Sequence, residues 1–161
     1  RIREHVFQVH IGPMQSKSRG RVTLKTSNPL DNPRLNFGYM RDPEDWVVFR
    51  SAIRQAREIF SQRAFDEFRG GEISPGDWVK SDYQLDEFVR AGCESAYHPC
   101  GTCKMGIDEE AVVDSRGLVH GLDGLRVVDA SIIPQIVNCN LNATVIMLAE
   151  KISDEIKKKH A

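Results

Sequence analysis

Segments with two-residue polarity alternation and segments with helical spacing occupy separate stretches of this chain, and that separation most narrows the folds open to it. His5 to Ile11 and Arg21 to Thr26 are short runs rich in Val, Phe, Ile and Leu on either side of a Lys17-Ser18-Arg19-Gly20 turn, a pattern that predicts a hairpin. Two Asn-Pro steps between Ser27 and Pro33 end the second run. Strand character resumes over Arg34 to Met40, with Leu35, Phe37 and Tyr39 on one face. Helical signals follow. Asp42 precedes Pro43, with Glu44 and Asp45 behind it, so a side-chain acceptor, a proline and two negative charges all favour a helix start. Trp46, Phe49, Ile53, Ala56 and Phe60 then recur at steps that give one apolar stripe.

The later half repeats this mixture. Gly70 to Asp77 reads as a loop, and Ser81 with Gln84 forms a capping box for a short helix carrying Leu85, Phe88 and Val89 that stops at Gly92. Ala111 to Asp129 reads as short strands with a turn at Asp114 to Gly117. Ala143 to Lys159 is a predicted helix with Val145, Leu148, Ile152 and Ile156 inward and three lysines at its C-terminal end, where positive charge is favoured. Strands and helices do not alternate as in a doubly wound sheet, so the expected class is α+β.

With 161 residues the chain is long enough for a sizeable core. Its 22 basic and 23 acidic residues leave a net charge of -1 with no basic stripe, which argues against nucleic acid as a partner. No apolar run approaches the roughly 18 residues of a spanning helix, and the first residues carry no signal-peptide pattern. The chain lacks an initiator Met and enters strand-like sequence at once, so it is expected to be part of a longer protein. Four cysteines, Cys93, Cys100, Cys103 and Cys139, are too few and too bunched for a disulfide framework and point to a reducing compartment. Cys100 and Cys103 have the CxxC spacing of zinc sites and redox dithiols, with Cys93 and His98 nearby, although no second ligand pair follows. An autonomous zinc or thiol module is therefore one reading of this segment.

Two segments are neither periodic nor ordinary turns. One is Tyr97-His98-Pro99-Cys100-Gly101-Thr102-Cys103-Lys104-Met105-Gly106. The other is Val127-Val128-Asp129-Ala130-Ser131-Ile132-Ile133-Pro134, leading to Asn138-Cys139-Asn140-Leu141-Asn142-Ala143-Thr144. Both resemble the signature regions at the C-terminal end of the glucose-methanol-choline (GMC) flavoprotein oxidoreductases, and the similarity extends over nearly the whole chain. Ser16 to Val22, Glu72 to Gly76 and Asn140 to Thr144 bring it nearest the choline-oxidising members. In this family the cysteine at the position of Cys103 is not a zinc ligand, and Cys100 falls at a variable place.

The resemblance implies FAD as cofactor, with no metal, and an alcohol, choline, as substrate, oxidised to betaine aldehyde on the way to glycine betaine. It implies that residues 1–104 belong to the substrate-binding region and 105–161 complete the FAD-binding domain. The glycine-rich dinucleotide motif belongs to an N-terminal portion that this chain lacks, so the chain alone is expected to be inactive. Oxygen-using and quinone-linked members share these blocks, and both a cytoplasmic protein at the membrane periphery and a mitochondrial inner-membrane one fit them. His98 matches the proton acceptor, a task suited to an imidazole, which titrates near neutral pH. Asn142 matches the second catalytic position, where a neutral amide can donate to a developing alkoxide, and its place ahead of an apolar-striped segment also suits a helix N-cap. Asp129 and Ala130 match positions beside the ribityl and phosphate groups, and Asn140, Leu141 and Ala143 match positions near the flavin ring. Tyr97 is the aromatic residue nominated to hold a quaternary ammonium.

Overall fold

The computed structural model describes residues 5–160, which divide into two units, one made of residues up to 13 with 39–94 and the other of 14–38 with the residues from 95 onward. The first unit is built on two capped helices. In α1 (Pro43–Phe60) the Asp42 carboxylate accepts the Glu44 N–H at 2.9 Å, with proline in the first turn. In α2 (Asp82–Gly92) the Ser81 hydroxyl accepts the Gln84 N–H at 3.2 Å while the Gln84 side chain accepts the Ser81 N–H at 3.0 Å. Each cap satisfies an amide that the helix itself leaves unpaired, a contribution of about 1 kcal/mol.

The expected stripes meet in one core. Ile53, Val79, Leu85 and Val89 are buried, with Trp46, Phe49 and Phe88 packed against them. Arg50 reaches Asp86 with both contacts at 2.9 Å, and Arg54 pairs with Asp82, so charged residues seal the edge where α1 meets α2. Arg57 extends from α1 to Glu72 and donates to the Val79 and Gly76 carbonyls, which fixes the connecting loop.

Residues 5–13 form no strand, contrary to the hairpin expected between 5–11 and 21–26. Two of their apolar side chains pack within the first unit instead: Phe7 lies 5.0 Å from Phe60 between ring centroids, and Ile11 joins the core. The hairpin lies one segment later, where β1 (Arg21–Thr23) pairs antiparallel with β2 (Arg34–Asn36), Val22 opposite Leu35. Polar turn chemistry selects this pairing. Asn28 N–H donates to the Thr26 hydroxyl, the Asn28 side-chain carbonyl accepts Leu30 N–H, and Asp31 ties back to both side chains. At Gly20 a Cβ would stand 2.3 Å from the Asn36 carbonyl oxygen, so the strands enter the pairing at a distance only glycine permits.

The strands expected over 111–129 shrink to isolated bridges, Met105 with Val113, Val113 with Val119 and Leu118 with Arg126. Turns recur too closely there for a ladder to grow. The tightest is anchored by Asp114, whose carboxylate accepts Arg116 N–H at 2.8 Å and Leu118 N–H at 2.9 Å. Gly117 follows with φ 75°, and a Cβ on it would come within 2.6 Å of the Val127 carbonyl oxygen. The last helix, α3 (Leu141–His160), starts two residues before the expected Ala143. Val113, Ile132 and Ile152 form the centre of the second core, with Leu148 and Ile156 from α3 against them.

Partial burial works against the charge on Asp114, but the two backbone N–H groups and the Arg116 guanidinium outweigh it and hold its pKa below the ordinary value. Because the folded-state pKa is depressed, this stabilisation is complete above the unfolded carboxylate value of about 3.9 and is lost as pH falls through the lower folded value. Protection factors at the Arg116 and Leu118 amides, taken relative to the intrinsic exchange rate at each pH, are expected to fall on acidification below roughly pH 4. In Asp114→Asn they should be lower already at neutral pH and show no such acid-dependent loss.

Candidate functional site

The two aperiodic segments meet through their backbones. Alternate residues of the first donate to consecutive carbonyls of a 3-10 turn in the second, Gly101 to Ala130 at 3.3 Å, Cys103 to Ser131 at 2.9 Å and Met105 to Ile132 at 2.8 Å. An extended segment exposes every second N–H on one side, and the turn presents three successive acceptors. Asp129 shapes that turn, its carboxylate accepting the Ser131 N–H at 2.8 Å and the Ser131 hydroxyl. Beyond it, His120 contacts the Gly106 carbonyl at 3.0 Å, and Lys104 bridges Asp108 at 2.9 Å and Glu110 at 3.3 Å.

This pairing builds a cleft of about 360 Å³, with Tyr97, His98 and Pro99 on one wall and Ala130, Leu141, Asn142 and Val145 on the other. His98 and Asn142 thus face one space from opposite segments, and both side chains are exposed. Among the described residues neither has a hydrogen-bond partner, which leaves an imidazole and an amide free to meet the same small molecule. Tyr97 adopts φ 60°, a left-handed conformation that costs a residue with a side chain about 1 kcal/mol. Pro99 restricts His98 to extended geometry. Tyr97 itself is 82% exposed at the rim.

Asn142 stands in the first turn of α3 and does not precede the helix, which removes the N-cap reading. Leu141 is 5% exposed and anchors that end. The first-turn N–H groups have no acceptors within a helix, so positive charge of roughly half a unit concentrates there. Apolar Leu141, Val145 and Ala130 beside this helix end suit a flat ring that gains electrons. Asp129, Asn140 and Ala143 do not line the cleft; the Asp129 carboxylate is turned toward Ser131. Pro99 and Val145 do line it and escaped the sequence reading. Val145 could have been found, since it follows Asn142 by three positions and so shares its helix face.

The CxxC reading gains nothing from this geometry. Among the described residues no group of three His, Cys, Asp or Glu side chains is disposed to hold a metal ion, and the four cysteines are free thiols. Burial pushes the Cys93 thiol up, and burial likewise raises Cys100 despite the attraction of Arg19, so neither is poised as a thiolate. Among the described residues no helix is long and apolar enough to cross a membrane.

Comparison with known proteins extends this picture. A family model described as GMC oxidoreductase matches residues 16–149. The oxygen-dependent choline dehydrogenase of Escherichia coli O127:H6 is 59% identical over 160 residues, covering 99% of this chain and 29% of that protein. The chain therefore spans less than a third of the length of such curated relatives. Among solved structures, pyridoxine 4-oxidase from Mesorbium loti superposes with a TM-score of 0.83 at 32% identity, over 88% of this chain and 28% of the other. A fungal aryl-alcohol oxidase gives a TM-score of 0.80 at 33% identity, over 91% and 24%.

Proposed function

We propose, since this chain belongs to the GMC oxidoreductase family, that it supplies the proton-handling side chains of a longer FAD-dependent enzyme that oxidises choline to betaine aldehyde. The observation that carries this reading is the shared cleft of His98 and Asn142 at the start of α3, in a chain 59% identical to a choline dehydrogenase. Within the longer protein, residues up to 104 serve the substrate side and 105–161 close the flavin domain.

The donor set of the cleft suits this chemistry. The His98 imidazole accepts the alcohol's hydroxyl proton. The Asn142 amide donates to the oxygen as it gains negative charge, without competing for the proton. Tyr97 offers its ring face to the trimethylammonium group. When bound, FAD supplies the acceptor for the hydride that leaves the carbinol carbon. The N-terminal end of α3 favours negative charge at that wall of the cleft.

A different primary alcohol as substrate is the second reading, since pyridoxine and aryl-alcohol oxidases share the fold at 32% and 33% identity. Choline is favoured by the much higher identity of its dehydrogenase. The deciding experiment compares choline with 3,3-dimethyl-1-butanol, its neutral isostere, in the full-length protein. A cation held against an aromatic face should raise kcat/KM for choline about tenfold or more over the isostere. Equal values would remove the quaternary ammonium from the proposal and favour another alcohol.

A further inference from the structure

Among the described residues, the stretch 94–100 makes a single hydrogen bond: the Tyr97 N–H donates to the Ser95 hydroxyl at 2.9 Å. Before this stretch, α2 is closed by the Cys93 N–H on the Val89 carbonyl, and after it the bond from Gly101 to Ala130 begins the pairing with the 3-10 turn. One wall of the cleft, Tyr97 to Pro99, therefore lies on a stretch that is tied down from Gly101 onward and clamped once before it.

The clamp closes on the residue that most needs it. Tyr97 holds φ 60°, where its own Cβ crowds the backbone, and such a conformation persists only when its surroundings impose it. A hydroxyl two residues earlier is the right acceptor for this N–H, the short-range turn that serine side chains form. On the other side, Pro99 bars His98 from helical geometry. The direction of His98 is thus set from both sides, by a pivot at Tyr97 and a restriction at Pro99, and among the described residues only the pivot depends on a removable side-chain contact.

We propose that Ser95 is a positioning residue: its hydroxyl locks the Tyr97 pivot, and through that backbone turn it aims both the Tyr97 ring and the His98 imidazole into the cleft. This rests on the reading that His98 takes the alcohol proton and Tyr97 meets the cation. Without the hydroxyl, Tyr97 can relax to negative φ, and such a change at the pivot moves both side chains together. Displacement of a proton acceptor by about an ångström is enough to slow a reaction substantially.

The test uses the full-length, FAD-loaded protein. Ser95→Ala is expected to lower kcat/KM for choline about tenfold, with kcat and KM both affected, and to weaken binding of tetramethylammonium, a probe that cannot be oxidised. Flavin content and the unfolding midpoint should stay at wild-type values. Ser95→Thr keeps the hydroxyl at the same place, Ser95→Asn offers a side-chain carbonyl that closes an equivalent turn, and both should remain within about twofold of wild type. Wild-type turnover and tetramethylammonium affinity in Ser95→Ala would overturn the proposal. So would Thr and Asn variants as impaired as Ala, or a loss in Ser95→Ala that vanishes once rates are expressed per bound flavin. If His98→Ala is fully active, the underlying reading falls first; if His98→Ala is inactive while Ser95→Ala is unaffected, only the clamp falls.

Discussion

Replacing His98 with alanine in the full-length protein is expected to lower kcat for choline by about a thousandfold and to change KM little. The magnitude follows from the proposed task. A positioned general base contributes roughly two to four orders of magnitude, and His98 is the only titratable side chain among the residues lining the cleft apart from the phenol of Tyr97. The small change in KM follows from the separation of duties, since the cation would rest on Tyr97 and the oxygen on Asn142, neither of which is removed. Steady-state kinetics on flavin-replete protein checks this, and retention of more than about a tenth of wild-type kcat would assign the proton elsewhere.

Ile152→Ala is expected to produce the largest structural effect. Ile152 is 1% exposed and meets Val113 and Ile132 at the centre of the second core. The 3-10 turn that contains Ile132 accepts the backbone of the His98 segment, and α3 carries Asn142, so Ile152 fastens the two walls of the cleft to each other. Truncating a buried Ile to Ala costs about 2–5 kcal/mol, from lost burial and the cavity left behind. Hydrogen exchange at the amides of α3 around Ile152 should speed up by about a hundredfold, and kcat should fall as the walls separate. Unchanged protection would mean that the core around Val113 is held by other contacts.

The features legible in the sequence are those whose chemistry is local. Asp42 before Pro43, and Ser81 with Gln84, announce helix starts because the partners sit within a few residues of each other. The stripe from Trp46 to Phe60 and the one containing Leu148, Ile152 and Ile156 face the cores as their spacing implies. Pairing over distance was not legible. Residues 5–11 have strand composition, yet Phe7 finds Phe60 and Phe65 and no ladder forms. Val112, Val113, Val119, Val127 and Val128 look like strand residues and end up around isolated bridges, because the turn anchored by Asp114 limits each run.

The site shows the same division. His98 and Asn142 stand out by their motifs, but what joins their segments is a set of backbone bonds from Gly101, Cys103 and Met105 to three consecutive carbonyls, which side-chain identity does not encode. The start of α3 at Leu141 moved Asn142 from a capping position to the first turn, a shift of the one or two residues by which helix ends differ. The left-handed Tyr97 is equally hidden, since no glycine or asparagine marks that position, and Ser95 gains meaning only once the turn is seen.

The account stands on one claim, that the His98 imidazole takes a proton from the alcohol across the cleft from Asn142. Chemical rescue in the full-length, flavin-replete protein tests it most directly. Added imidazole should restore part of the kcat for choline lost in His98→Ala, because a free base can enter the space the side chain leaves, and should restore nothing in Asn142→Ala. A His98→Ala protein whose lost kcat imidazole does not restore at all would contradict the claim.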